Sequence, residues 1–167
     1  MTPFFLFFLL FQQSPPEDVD ALGLDKIQAV IETSEGEFVL EFYHEQAPNH
    51  VEHFLQLARQ DLYVGTTFHS MVAHGIVQAG DPLTKDLEQQ ELYGSGGFNM
   101  GLEPEISDLE FTSGTVVATL LPSDTDSAGS QFFVCVGDQP QFKGLFTAFG
   151  RVVEGLEVVD RISMTPT

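Results

Sequence analysis

The sequence has no tryptophan, a single cysteine and only six lysines and arginines among its 167 residues. A lone Cys135 excludes an internal disulfide and any CxxC metal or redox site. Lying in the apolar stretch SQFFVCVG, it reads as a buried strand residue rather than a reactive thiol. Against the six cations stand 25 Asp and Glu, a formal charge of −19. Such a field repels a phosphate backbone and an anionic lipid surface, so neither nucleic acid nor a membrane surface is an expected partner. The acidity serves solvation first.

Long apolar runs are also scarce. The longest, FFLFFLLF at residues 4–11, has eight residues and falls short of the ~20 that a membrane span needs. It fits the core of a signal peptide, and export to a periplasmic or extracellular compartment is the expectation. No basic residue precedes the run and no small-x-small cleavage site follows it, so a misassigned start and a cytoplasmic location form the alternative. The polar, proline-containing stretch from Gln12 to Asp20 reads as a linker. Residues 1–25 are therefore set apart as apolar segment and linker, and 26–167 as one domain, a length that buries one sizeable core.

From Lys26 the chain alternates. Ile27, Ala29 and Ile31 share one strand face, Phe38, Leu40 and Phe42 another, and SEG between them predicts a hairpin. In QAPNHVEHFLQLARQDLY, Pro48 suits a first helical turn, and Val51, Phe54, Leu55 and Ala58 recur at helical spacing. Strands are predicted at 66–72, 75–79, 114–121, 131–136 and 145–152, and a second helix around Leu156, Val159 and Ile162. Many strands with two helices predict a barrel or sandwich plugged by helices. Between Asp81 and Gly114 the chain turns acidic and glycine-rich around YGSGGFNMG, the composition of a segment that lies over a site or moves.

Ready-made chemistry is also scarce. His50 and His53 stand at i and i+3 on the first helix, but no third ligand has a specific spacing. The apolar stripe of Val51 and Phe54 places both histidines towards its solvated flanks. His69 and Ser70 are adjacent, so on a strand they face opposite ways and His69 cannot activate the hydroxyl. GSQFF lacks the second glycine of a nucleophile elbow, and the glycine-rich loop lacks the lysine of a phosphate cradle.

Taken in order, GEFVLEFYHEQAPNHVEHFLQLA, YVGTTFH, QAGDP, SAGSQFFV and FTAFGRVVEGLEVVDRI resemble a cyclophilin-type peptidyl-prolyl cis-trans isomerase domain over about Lys26 to Ile162. The resemblance implies a mainly β fold, an eight-stranded antiparallel barrel capped by two helices, with a shallow proline-binding groove outside. The strand that follows the second helix in that fold has no counterpart here, so either the chain is a fragment or the barrel has an exposed edge, and an open edge invites pairing with another chain or with the N-terminal segment. The family's reaction rotates an X-Pro amide and uses no metal or organic cofactor, so none is expected. The implied partner is a proline-containing peptide or unfolded polypeptide.

The resemblance assigns the site residue by residue. Gln78 matches the carbonyl-holding glutamine, Phe133 the pocket floor, Ile76 its aliphatic wall and Phe142 a leucine position. Ser70 stands where the family has its catalytic arginine. Gly75 replaces an aromatic, Gln141 a groove-edge tryptophan or histidine, and Phe146 the flanking histidine. Leu120 or Leu121 occupies the segment that passes the peptide backbone. A divergent isomerase of weak turnover is the first expectation, and a non-catalytic peptide-binding or chaperone-like module the second.

Overall fold

A computed structural model describes residues 8–10, 27–97, 102–120 and 129–165 of the chain. The predicted linker lies outside the described residues. The predicted hairpin forms as β2 (Gln28–Thr33) and β3 (Gly36–Phe42), with Thr33 opposite Gly36 at its tip. Thr33 Oγ1 donates to the Gly36 carbonyl at 2.7 Å. Helix α1 (Pro48–Arg59) follows, with Pro48 in its first turn.

The remaining strands are β4 (Ser70–Val72), β5 (Ile76–Ala79), β6 (Thr115–Ala118), β7 (Phe132–Cys135) and β8 (Ala148–Glu154), and helix α2 (Leu156–Ser163) ends the described fold. A short strand, β1 (Phe8–Leu10), pairs with β2. Every pairing is antiparallel, in the order β1-β2-β3-β8-β6-β7-β5-β4. Seven strands from Gln28 onward thus make a mainly β half-barrel with two helices. Among the described residues no strand follows α2.

Several strands are shorter than their apolar stretches. Thr66–His69 lies outside the ladder, although the His69 N–H still donates to the Gln78 carbonyl at 3.0 Å. The strand expected from Leu145 starts only at Ala148, because a 3-10 turn at Pro140–Phe142 and a further turn occupy the approach. Gly155 begins α2 with φ of +78°, and a Cβ there would lie 2.4 Å from the Glu37 carbonyl oxygen, so only glycine fits.

The inner face of the sheet carries Ala29, Ile31, Leu40, Val77, Ala79, Val116, Phe132, Val134 and Phe149, with α1 against β8 and α2 against β3, β4 and β5. Phe54 anchors α1 there, stacking on Tyr63 at 5.0 Å and meeting Phe132 and Phe149 at 5.5 Å each. Full burial of such a ring contributes about 1.5–3 kcal/mol.

The flank histidines of α1 differ from expectation. His50 and His53 are 4% and 8% exposed, and Glu105, from a distant segment, covers His50 at the start of the helix. The Glu105 carboxylate accepts from the Asn49 N–H (3.1 Å), the His50 N–H (3.0 Å) and the Asn49 side-chain amide (2.9 Å), and it meets His50 Nδ1 at 2.6 Å. Ala47 offers no side-chain cap, so a residue more than fifty positions downstream supplies one. Burial raises the Glu105 pKa, but these hydrogen bonds outweigh it and hold the carboxyl below its ordinary value.

Candidate functional site

Because side chains alternate along a strand, the residues between the inner ones on β5, β6, β7 and β8 face outward. Most of them are nevertheless shielded from solvent. Phe111, Val117, Phe133, Cys135 and Ala148 form a second buried cluster, against which Ile76, Phe142 and Phe146 pack. Strand β7 serves both, Phe132 and Val134 inside and Phe133 and Cys135 outside.

Register brings the predicted residues into line. Ser70 is directly opposite Gln78, and Gln78 is directly opposite Phe133, so the three form one row across β4, β5 and β7. Opposed side chains in antiparallel strands share a face, with Cβ atoms ~5 Å apart. Phe133 is buried, while Gln78 and Ser70 are half-buried. Beside the row three rings meet edge-to-face: Phe133 with Phe142 at 5.4 Å, Phe133 with Phe146 at 5.8 Å and Phe142 with Phe146 at 5.1 Å. Each such pair adds about 0.5–1.5 kcal/mol beyond area burial.

Gln78 is held by a residue that sequence reasoning did not single out. Its Nε2 donates to Gln131 Oε1 at 2.8 Å, and Gln131 Nε2 donates to the carbonyls of Gly94, at 3.0 Å, and Gly96. The signal was present in GSQFF: a glutamine abutting an apolar strand needs partners when buried. The glycine-rich segment is fastened in turn by Asp81, which is fully buried. Asp81 Oδ1 accepts from the Leu83 N–H at 2.8 Å, and Oδ2 accepts from Gly94 N–H at 2.5 Å and Gly96 N–H at 3.2 Å. The described part of this segment thus reaches the Gln131–Gln78 pair through Gly94 and Gly96. The chain Asp81, Gly94–Gly96, Gln131 and Gln78 fixes one amide proton of Gln78.

Other candidates lie elsewhere. Gln141 is exposed and donates to Gln139 Oε1 at 2.6 Å, and Leu120 packs against the inner core. Leu121 lies outside the described residues. Gly75 sits in the β4–β5 turn, where its carbonyl accepts from Val136 N–H (2.7 Å) and Gly137 N–H (3.3 Å), tying the turn to the end of β7. His74 in the same turn meets Asp160 of α2 at 3.1 Å, an exposed pair of small energetic value. Burial lowers the pKa of His69, opposed by the Asp81 charge. Burial, with Asp138 nearby, pushes the Cys135 thiol up to about 12, which makes it inert at neutral pH. Among the described residues no group of three His, Cys, Asp or Glu is placed to hold a metal ion.

Comparison with known proteins matches residues 28–167 to the family model described as cyclophilin type peptidyl-prolyl cis-trans isomerase/CLD. The chain is 34% identical to peptidyl-prolyl cis-trans isomerase CYP18-2 of Arabidopsis thaliana over 140 residues, 84% of this chain and 82% of that one. It is 37% identical to the human peptidyl-prolyl cis-trans isomerase-like 1 over 137 residues, 82% of this chain and 80% of the relative. A Cryptosporidium parvum cyclophilin type isomerase, crystallised in the presence of the dipeptide Ala-Pro, superposes with a TM-score of 0.73 at 26% identity, covering 83% of this chain and 85% of that one.

Proposed function

Since this chain belongs to the cyclophilin-type peptidyl-prolyl cis-trans isomerase family, we propose that its outer row of Ser70, Gln78 and Phe133 engages X-Pro segments of polypeptides and isomerises them slowly. The observation that carries the reading is the register that sets Ser70, Gln78 and Phe133 side by side along one edge of the ring cluster. Isomerisation rotates an amide whose barrier is ~18–20 kcal/mol in general, and it needs no covalent step. An unaided X-Pro bond turns over in tens to hundreds of seconds.

The parts act as follows. Phe133, with Phe142 and Phe146, offers an apolar floor and edges to the proline ring. Gln78, held at one proton by Gln131, presents its remaining donor to a peptide carbonyl without the entropy cost of a free side chain. The twisted amide concentrates a lone pair on the proline nitrogen, and a guanidinium at the position of Ser70 stabilises it by a charged, forked donor. Ser70 supplies a neutral hydroxyl. Lys143, adjacent in sequence to Phe142, is engaged by Glu110. Loss of one preorganised donor lowers turnover by roughly 10²–10³-fold.

One observation favours a second reading, a peptide-binding module without turnover. Phe146 takes the place of a histidine and packs edge-on against both Phe133 and Phe142, so the pocket retains an apolar seat but loses a polar flank. Turnover of a short X-Pro peptide by the native chain, Ser70→Arg and Gln78→Ala, beside a binding titration of the same peptide, separates the two. Weak native turnover, raised roughly 10²-fold or more by Ser70→Arg and abolished by Gln78→Ala, supports the slow isomerase. Binding without turnover in all three variants supports the module. Fast native turnover that Ser70→Arg leaves unchanged refutes the role given to this position.

A further inference from the structure

The row of Ser70, Gln78 and Phe133 has a neighbour on the same face. Two residues along each strand, Val72 is directly opposite Ile76, and Ile76 is directly opposite Cys135. Residues two apart on a strand share a face, so this second row lies on the outer side of the sheet with the first. Cys135 is fully buried, Ile76 is half-buried against the outer cluster, and Val72 is 55% exposed. A single exposed valine is ordinary. This one continues a buried apolar row beside the candidate peptide groove.

What leaves Val72 open is Gly75. Its backbone lies outside the left-handed region, so the conformation of the turn does not demand glycine. A Cβ there would lie 2.9 Å from Val72 Cγ1 and 3.1 Å from Val72 Cβ, so any side chain at this position would press on Val72. Without one, a notch remains, bounded by Val72, Ile76 and the bare backbone of Gly75.

The notch sits on a braced turn. The Gly75 N–H donates to the Val72 carbonyl at 2.8 Å, and the Gly75 carbonyl accepts from the N–H groups of Val136 and Gly137. The same carbonyl accepts from Gln139 Nε2 at 3.3 Å, and Gln139 Oε1 accepts from Gln141 Nε2 at 2.6 Å. These two glutamines flank Pro140 in the 3-10 turn that carries Phe142, which makes the notch continuous with the ring cluster. Val72, Gly75, Ile76, Gln139 and Gln141 are all uncharged, in a chain of formal charge −19.

We propose that this notch is a specificity subsite of the groove and takes a large aromatic side chain adjoining the proline of a bound X-Pro segment. The inference rests on the reading of the groove as a peptide site. A flat ring covers both the Val72 side chain and the exposed peptide plane of Gly75, beside the rings that seat the proline, whereas a narrow aliphatic chain leaves one of them in water. Because the turn is already fixed, little ordering cost offsets that gain.

The test is calorimetric titration of the native chain, Val72→Ser and Gly75→Ala with a short alanine peptide containing one proline, and with two peptides in which phenylalanine replaces the residue before or after it. At least one phenylalanine peptide is expected to bind the native chain roughly 10-fold more tightly than the alanine peptide, and each variant to cut that ratio to about 2 or less. Thermal midpoints check that both variants fold. Val72→Ser, at an exposed position, carries the test should the methyl of Gly75→Ala disrupt the turn. Equal affinity of the native chain for all three peptides overturns the subsite and leaves the groove reading standing. A preference for phenylalanine that survives Val72→Ser undiminished overturns its assignment to this notch. Failure of every peptide to bind refutes the groove reading itself, and the subsite with it.

Discussion

Replacing Asp81 by asparagine changes one oxygen for an NH2 group and almost no volume, and its cost follows from three hydrogen bonds. Asp81 Oδ2 takes the N–H groups of Gly94 and Gly96, and Oδ1 takes that of Leu83. An asparagine keeps the pair of glycine bonds only by turning its NH2 towards the Leu83 N–H, where donor meets donor. Two charge-assisted bonds then become neutral ones, at about 1 kcal/mol each, and one buried N–H is left unmet, at about 1–3 kcal/mol. Easier burial of a neutral amide returns about 1 kcal/mol. The net loss is about 2–4 kcal/mol, or a fall of roughly 10 °C in thermal midpoint. Urea unfolding followed by far-ultraviolet circular dichroism suits a protein without tryptophan. Because Gly94 and Gly96 also hold Gln131, and Gln131 holds Gln78, the variant should lose peptide affinity as well as stability. A stability within ~0.5 kcal/mol of the native chain would refute the claim that Asp81 fastens this segment.

Glu105→Ala should destabilise the fold by about 2–3 kcal/mol, since it uncaps α1 and strips buried His50 of its partner; urea unfolding of the variant checks this. The Glu105 carboxyl has a depressed folded pKa, so its contribution is complete above the ordinary carboxylate value and disappears as pH falls through the folded one; the acid limb of a pH–stability curve should therefore be shallower in Glu105→Ala. His53 and His69 also have lowered pKa values, in both cases mainly from burial. The unfolded chain takes up protons on them below about pH 6.5, so stability is full above that value and declines towards pH 5; equal urea midpoints at pH 7.5 and 5.5 would contradict this. Cys135 should resist alkylation at pH 8 in the native protein and react in urea, as mass spectrometry can follow.

Periodicity made the hairpin and α1 legible, because the inner-core residues of β2, β3 and the helix follow single clean periods. It could not show that His50 and His53 are buried. The cover of His50 comes from Glu105, a contact across 55 residues that no local pattern encodes. The row of Ser70, Gln78 and Phe133 was reached through family resemblance, and no spacing along the chain would have aligned three strands in register. Gln131 was legible in principle as a polar residue at the start of an apolar strand, but its partners are backbone carbonyls of a distant glycine-rich segment.

Strand β7 has a consequence for how the protein reaches its native state. With Phe132, Phe133, Val134 and Cys135 all buried, its sequence carries no polar and apolar alternation, so a slip by one residue exchanges inner for outer side chains at little hydrophobic penalty. Yet such a slip would put Phe132 on the outer row and Phe133 in the core. What excludes the misregistered state is punctuation at the strand ends. A Cβ on Gly80 would lie 2.3 Å from the Ser130 carbonyl oxygen, and one on Gly137 would lie 2.5 Å from that of His74. Backbone passes backbone there so closely that only one pairing brings glycine to both contacts. The pairing of β5 with β7 is thus fixed by two glycines, and substitutions at Gly80 or Gly137 should slow folding through a trapped register as well as disturb the row of Gln78 and Phe133 that this pairing aligns.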